Sequence, residues 1–75
     1  MEHRIRNIMA KVFEIPEVQI KEDASAHSIP TWDSLRHLDL VLALESEFRI
    51  KIEDEEIPTL INYPIIVSTI KAHLE

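Results

Sequence analysis

No glycine and no cysteine occur among the 75 residues, aromatic side chains supply only 5%, and Lys and Arg together number 8 against 14 Asp and Glu. Each shortage excludes something. At an average usage of roughly 7% a chain of this length would hold about five glycines. Hairpins and all-β folds lean on glycine for positive-φ turns, and the phosphate-cradling loops of nucleotide-binding enzymes are built on it. Without cysteine there is no disulfide framework, no thiolate zinc site and no cysteine nucleophile. A formal charge of −6 opposes a nucleic-acid binder, whose contact face is basic. No apolar run exceeds Leu40–Leu44, far short of the ~20 residues of a membrane-spanning helix. The opening MEHRIRNIMA has no apolar core of a secretory signal, so the cytoplasm is the expected compartment.

What remains is a chain that is 45% hydrophobic, ordinary for a globular domain. Its length suits a single domain over 1–75 with one small core. So short a chain rarely walls in an active site of its own. Apolar periodicity predicts helices. Ile5, Ile8, Met9, Val12 and Phe13 share a stripe over about 2–14, which Pro16 ends. Residues 15–33 form a long connection, with Val18, Ile20 and Ile29 expected to pin it to the core and Trp32 to anchor its end. A second helix runs from Asp33 or Ser34, both favoured caps, to Phe48. It carries two apolar faces, Leu40, Val41, Leu44 and Phe48 on one and Leu35, Leu38 and Leu42 on the other. Only the first is needed for a core.

A loop with Ile50 and Ile52 as anchors leads to a short third helix over about Asp54–Leu60, with Pro58 tolerable in its first turns. Asn62 and Pro64 open a last helix with the stripe Tyr63, Ile66, Val67, Ile70 and Leu74. The expected fold is all-α, a small antiparallel four-helix bundle of three longer helices and a short third one. Ile5, Ile8, Met9, Val12, Leu40, Leu44, Phe48, Ile52, Ile66 and Ile70 are its core candidates.

One stretch is specific: Trp32-Asp33-Ser34-Leu35, followed by Asp39-Leu40-Val41-Leu42-Ala43-Leu44-Glu45-Ser46-Glu47-Phe48. It resembles the acyl carrier protein family and its peptidyl carrier relatives, in which an Asp-Ser-Leu tripeptide opens the second helix. Helix order, the long first loop and the Asp54-Glu55-Glu56-Ile57 segment extend the resemblance over essentially the whole chain. Thr31 and Arg49 depart from it, standing where many members have glycine, and Pro30 should make the loop before Ser34 stiffer. The resemblance implies a non-catalytic carrier whose Ser34 bears 4′-phosphopantetheine, donated by coenzyme A through a phosphopantetheinyl transferase. Acyl, aminoacyl or related groups would then ride the arm as thioesters, loaded by a ligase and passed to acyl-transferring or condensing enzymes of fatty-acid, polyketide, peptide or other biosynthesis. No nucleic acid and no metal enter this reading, and the carrier is expected to be a monomer.

The residues around Ser34 each have a plainer reading beside the functional one. Ser34 could be a helix cap, but Asp33 is the better candidate for that, and the resemblance makes Ser34 the attachment site. Asp33 is too weak a base for a hydroxyl, and the resemblance makes it part of the motif that the transferase recognises. Leu35, Leu38 and Leu42 could bury against the loop, or form an exposed apolar partner surface. Asp39, Glu45 and Glu47 would steer basic partners, and Arg36 would tune which partner is accepted. His37 lies one turn after Ser34, which makes an esterase-like Ser-His pair conceivable. No third carboxylate or oxyanion pocket accompanies it, so a half-buried histidine touching the loop is expected. His3, His27 and His73 have no metal-ligand spacing. A plain helical interaction module is the remaining alternative.

Overall fold

A computed structural model describes residues 1–75. It contains three α-helices, α1 (Glu2–Phe13), α2 (Ser34–Phe48) and α3 (Tyr63–Leu74), with 3-10 turns at Glu17–Gln19 and Ile57–Thr59. The short third helix expected over Asp54–Leu60 is therefore not an α-helix. Glu56 and Ile57 donate to Glu53 and Asp54, and Thr59 and Leu60 to Glu56 and Ile57, each a bond to the residue three back. Pro58 has no N–H to give, which interrupts any i→i−4 ladder through so short a segment.

The helix ends follow from their chemistry. Asp33, in extended geometry, accepts the Arg36 N–H on its side chain, and Asn62 accepts that of Ile65. Pro64 sits where its missing N–H costs nothing. The C-termini of α1 and α2 finish alike, with Phe13-Glu14-Ile15 and Phe48-Arg49-Ile50. Glu14 (φ 56°) and Arg49 (φ 55°) take the left-handed conformation. Ile15 and Ile50 then donate back to Ala10 and Glu45. A left-handed non-glycine residue costs ~1–2 kcal/mol. Arg49→Gly is therefore expected to stabilise the fold by about 1 kcal/mol, net of glycine's greater freedom when unfolded. Its urea midpoint should rise with an unchanged slope; a lower midpoint would show that Arg49 contributes more than it strains.

All buried side chains are apolar and form one cluster. Ile5, Met9 and Phe13 of α1 meet Leu40, Val41, Leu44 and Phe48 of α2 and Tyr63, Ile66, Val67 and Ile70 of α3. Ile8 and Val12 only edge this cluster, because the buried stripe of α1 runs through positions four apart. Ile20, Ala24, Ile29 and Trp32 bring the long loop into it. Val18 does not: in its three-residue turn it faces outward, 80% exposed, and Leu74 is exposed at the end of α3. The loop is held by backbone as well. Ser25 and Asn62 form an isolated antiparallel bridge, flanked by Tyr63 N–H to Ala24 O and Ala26 N–H to Ile61 O. No helix is long and apolar enough to cross a membrane.

Candidate functional site

Ser34 is the first residue of α2 and is exposed. The cap geometry decides what surrounds it. Of the N–H groups at this helix start, that of Arg36 goes to Asp33 Oδ1 at 2.8 Å and that of His37 to Asp33 O at 2.8 Å. Those of Ser34 and Leu35 have no acceptor within the protein. An exposed hydroxyl thus sits beside two free backbone donors at the positive end of a fifteen-residue helix. Asp33 performs the capping, so the Ser34 hydroxyl is not needed for it.

A groove of about 520 Å³ opens beside Ser34. Trp32 and His37 line it from the Ser34 side, Leu38 from the next turn of α2, and Ile57, Pro58 and Ile61 from the segment before α3. The loop that presents Ser34 is fixed to the end of α1 by side chains whose role no periodicity could reveal. Thr31 Oγ1 donates to Phe13 O at 2.7 Å, and Arg36 Nη1 donates to Val12 O at 2.7 Å while its Nη2 pairs with Glu14. Trp32 is buried, stacked on Phe13 at 4.6 Å between ring centroids. Thr31 thus ties α1 to the loop.

The residues expected to meet partners divide into two groups. Leu35, Leu38 and Leu42 are 70%, 52% and 64% exposed, with Asp33 and Asp39 exposed beside them. The others have work inside the molecule. Arg36 is half-buried on the end of α1, as described. Glu45 Oε2 accepts the Ile52 N–H at 2.8 Å, holding the loop after α2. Glu47 accepts Arg4 Nε at 2.8 Å, and that guanidinium lies over the Phe48 ring.

His37 donates from one ring nitrogen and accepts at the other: Trp32 Nε1 donates to Nδ1 at 3.0 Å, and Nε2 lies 2.7 Å from Ile57 O. Neither nitrogen is left to take a proton from Ser34, which removes the basis of a Ser-His nucleophile. No group of three or more His, Asp or Glu side chains is placed to hold a metal ion. Two ionisable groups are displaced from their ordinary values, both away from Ser34. The Glu53 N–H, then His73, hold the Glu56 carboxyl below the usual range. Burial, then the hydrogen bond to Glu2, push the Tyr63 phenol up.

The fold and site define a small helical domain that presents one free serine at a helix start beside an apolar groove. No family model matches the chain. It is similar to the solution NMR structure of a holo acyl carrier protein from Geobacter metallireducens, with a TM-score of 0.85 and 27% identity over 97% of this chain and 84% of that one. The chain has the acyl carrier protein fold, in agreement with the resemblance carried by residues 32–48, and this likeness supports a carrier role in general.

Proposed function

We propose that Ser34 is the attachment site of 4′-phosphopantetheine and that the chain carries acyl or aminoacyl groups for a biosynthetic pathway. The observation that carries this reading is the exposed Ser34 hydroxyl at the start of α2, with the Ser34 and Leu35 N–H groups unused. These residues fit a phosphodiester: the two donors and the helix dipole favour its negative charge. The groove bounded by Trp32, Ile57 and Ile61 gives a pantetheine chain an apolar bed. When attached, the group supplies the thiol that this cysteine-free chain lacks.

In the transfer, Ser34 Oγ forms a bond to the pantetheine-bearing phosphorus of coenzyme A. The bond to the adenosine bisphosphate leaving group breaks, and the hydroxyl proton passes to a base on the transferase. The chain supplies position, through Asp33 and the Thr31 and Arg36 ties, and leaves activation to its partner. Leu35, Leu38 and Leu42, with Asp33 and Asp39 alongside, form the surface offered to the transferase, to a loading ligase and to acyl-transferring enzymes in the cytoplasm. Arg36, Glu45 and Glu47 shape that surface through the contacts that hold α2 in place.

Incubating the chain with coenzyme A and a broad-specificity phosphopantetheinyl transferase, then weighing it intact, tests the reading. One added phosphopantetheinyl mass is expected for the wild type and none for Ser34→Ala, whose stability should stay within ~0.5 kcal/mol. No addition, or an addition that survives Ser34→Ala, would leave an unmodified helical interaction module instead.

A further inference from the structure

His37 joins three parts of the fold around the groove. The Trp32 indole can only donate, and the Ile57 carbonyl can only accept. With the first 3.0 Å from Nδ1 and the second 2.7 Å from Nε2, one arrangement satisfies both: Nδ1 bare, Nε2 protonated, the ring neutral. The imidazole also lies nearly parallel to the indole, 6.1 Å between centroids. The loop before Ser34, the first turn of α2 and the 3-10 turn at Ile57–Thr59 are thereby fastened at a single side chain. All three joined residues line the groove.

We propose that His37 is a positioning residue that acts as a proton-sensitive bolt, closed when neutral and withdrawn when a proton reaches Nδ1. The proton would turn the acceptor of the Trp32 N–H into a second donor facing it. Trp32 would then lose its partner, and the wall of the groove nearest Ser34 would loosen. Histidine is the side chain whose ordinary charge change falls between pH 5 and 8.

The charged groups around the bolt are already engaged. At the cap of α2, Asp33 is the other titratable group of the groove, its carboxylate turned to the Arg36 N–H. Arg36 is spent on Val12 O and Glu14 at the end of α1. From the segment before α3, Glu56 faces Glu53 N–H and His73. None of these groups is paired with His37, so protonation would cost the indole bond with no ion pair already in place to offset it. The Glu56–His73 contact keeps the segment attached to α3, so the opening is confined to the Ser34 side.

Trp32 is the sole tryptophan, and its indole N–H therefore gives one unambiguous NMR signal. At pH 8, long-range ¹⁵N spectra of the unmodified chain should show His37 as the Nε2–H tautomer. Between pH 8 and pH 5 the protection of the Trp32 indole N–H from solvent exchange, taken relative to free indole, should fall about tenfold, while the Leu44 amide keeps its protection. His37→Asn offers an acceptor oxygen that takes up no proton, and its indole protection should not vary with pH. An Nδ1–H tautomer at pH 8, wild-type protection that is equal at both pH values, or an Asn variant that reproduces the wild-type profile would each overturn the proposal. The first two readings need no variant, and none depends on modification of Ser34.

Discussion

Phe13→Ala should cost the fold ~3–5 kcal/mol, the range for emptying a buried aromatic site. Against the ~0.05–0.15 kcal/mol per residue typical of whole proteins, that is a large share of what so short a chain possesses. Phe13 is fully buried, ends α1 and stacks on Trp32. Truncation leaves a void under the indole as well as between the helices. Two of the supports for the Ser34 loop, the Thr31 bond to Phe13 O and the Arg36 bond to Val12 O, are anchored on this same turn of α1. The damage should therefore reach the loop. Urea unfolding followed by circular dichroism measures the loss, and Phe13→Leu, which refills most of the space, should recover more than half of it. A loss below ~1 kcal/mol would mean that the site collapses around the missing ring.

Leu38→Asp should have the opposite profile. Leu38 is 52% exposed, lines the groove and has no place in the buried cluster, so stability should change by no more than ~0.5 kcal/mol. The rate of Ser34 modification by the transferase, at limiting carrier, should fall about thirtyfold, the equivalent of a ~2 kcal/mol interface hot spot. A carboxylate there places an unpaired charge in the middle of the Leu35, Leu38 and Leu42 surface, where a docked partner would have to desolvate it. Lys71→Asp, on the exposed side of α3, makes a larger change in net charge and should leave the rate nearly unaltered. Equal losses in the two variants would assign the effect to overall charge instead of to this face.

The three long helices were legible because each carries a repeating apolar stripe, and α2 and α3 also carry a cap of known chemistry. Asp33 and Asn62 cap as their residue types require, and the two faces of α2 separate into a buried and an exposed one. The segment 54–60 misled because its acidic start and single apolar positions resemble a helix opening, while Pro58 leaves no room for a ladder. Ser34 stood out through the tripeptide around it. The groove did not, since Ile57, Pro58 and Ile61 reach it from a distant part of the chain. The internal contacts of the α2 charges were hidden for a related reason. Arg36, Glu45 and Glu47 look solvated on a helical wheel, yet each meets a backbone or side-chain partner brought near by the fold. A side chain bonding to a carbonyl many residues away leaves no periodic trace. Thr31, Arg36 and His37 are three such cases, and together they hold the loop that presents Ser34.

The backbone bridge between Ser25 and Asn62 bears on the order in which the molecule assembles. It closes a ring that contains the whole of α2, and such a ring cannot shut until its two distant ends are brought together. Helix formation and the ties of Thr31 and Arg36 to the end of α1 join nearer parts of the chain, 18 and 24 residues apart, and gain their contacts sooner. The strap from Ala24 to Ala26 is thus placed to dock after those ties have formed. Until it does, the start of α2 would stand fastened to the end of α1 while its other flank is bare. A late step of folding would then be the closing of a backbone strap whose own residues, Ala24 to Ala26, carry none of the chemistry.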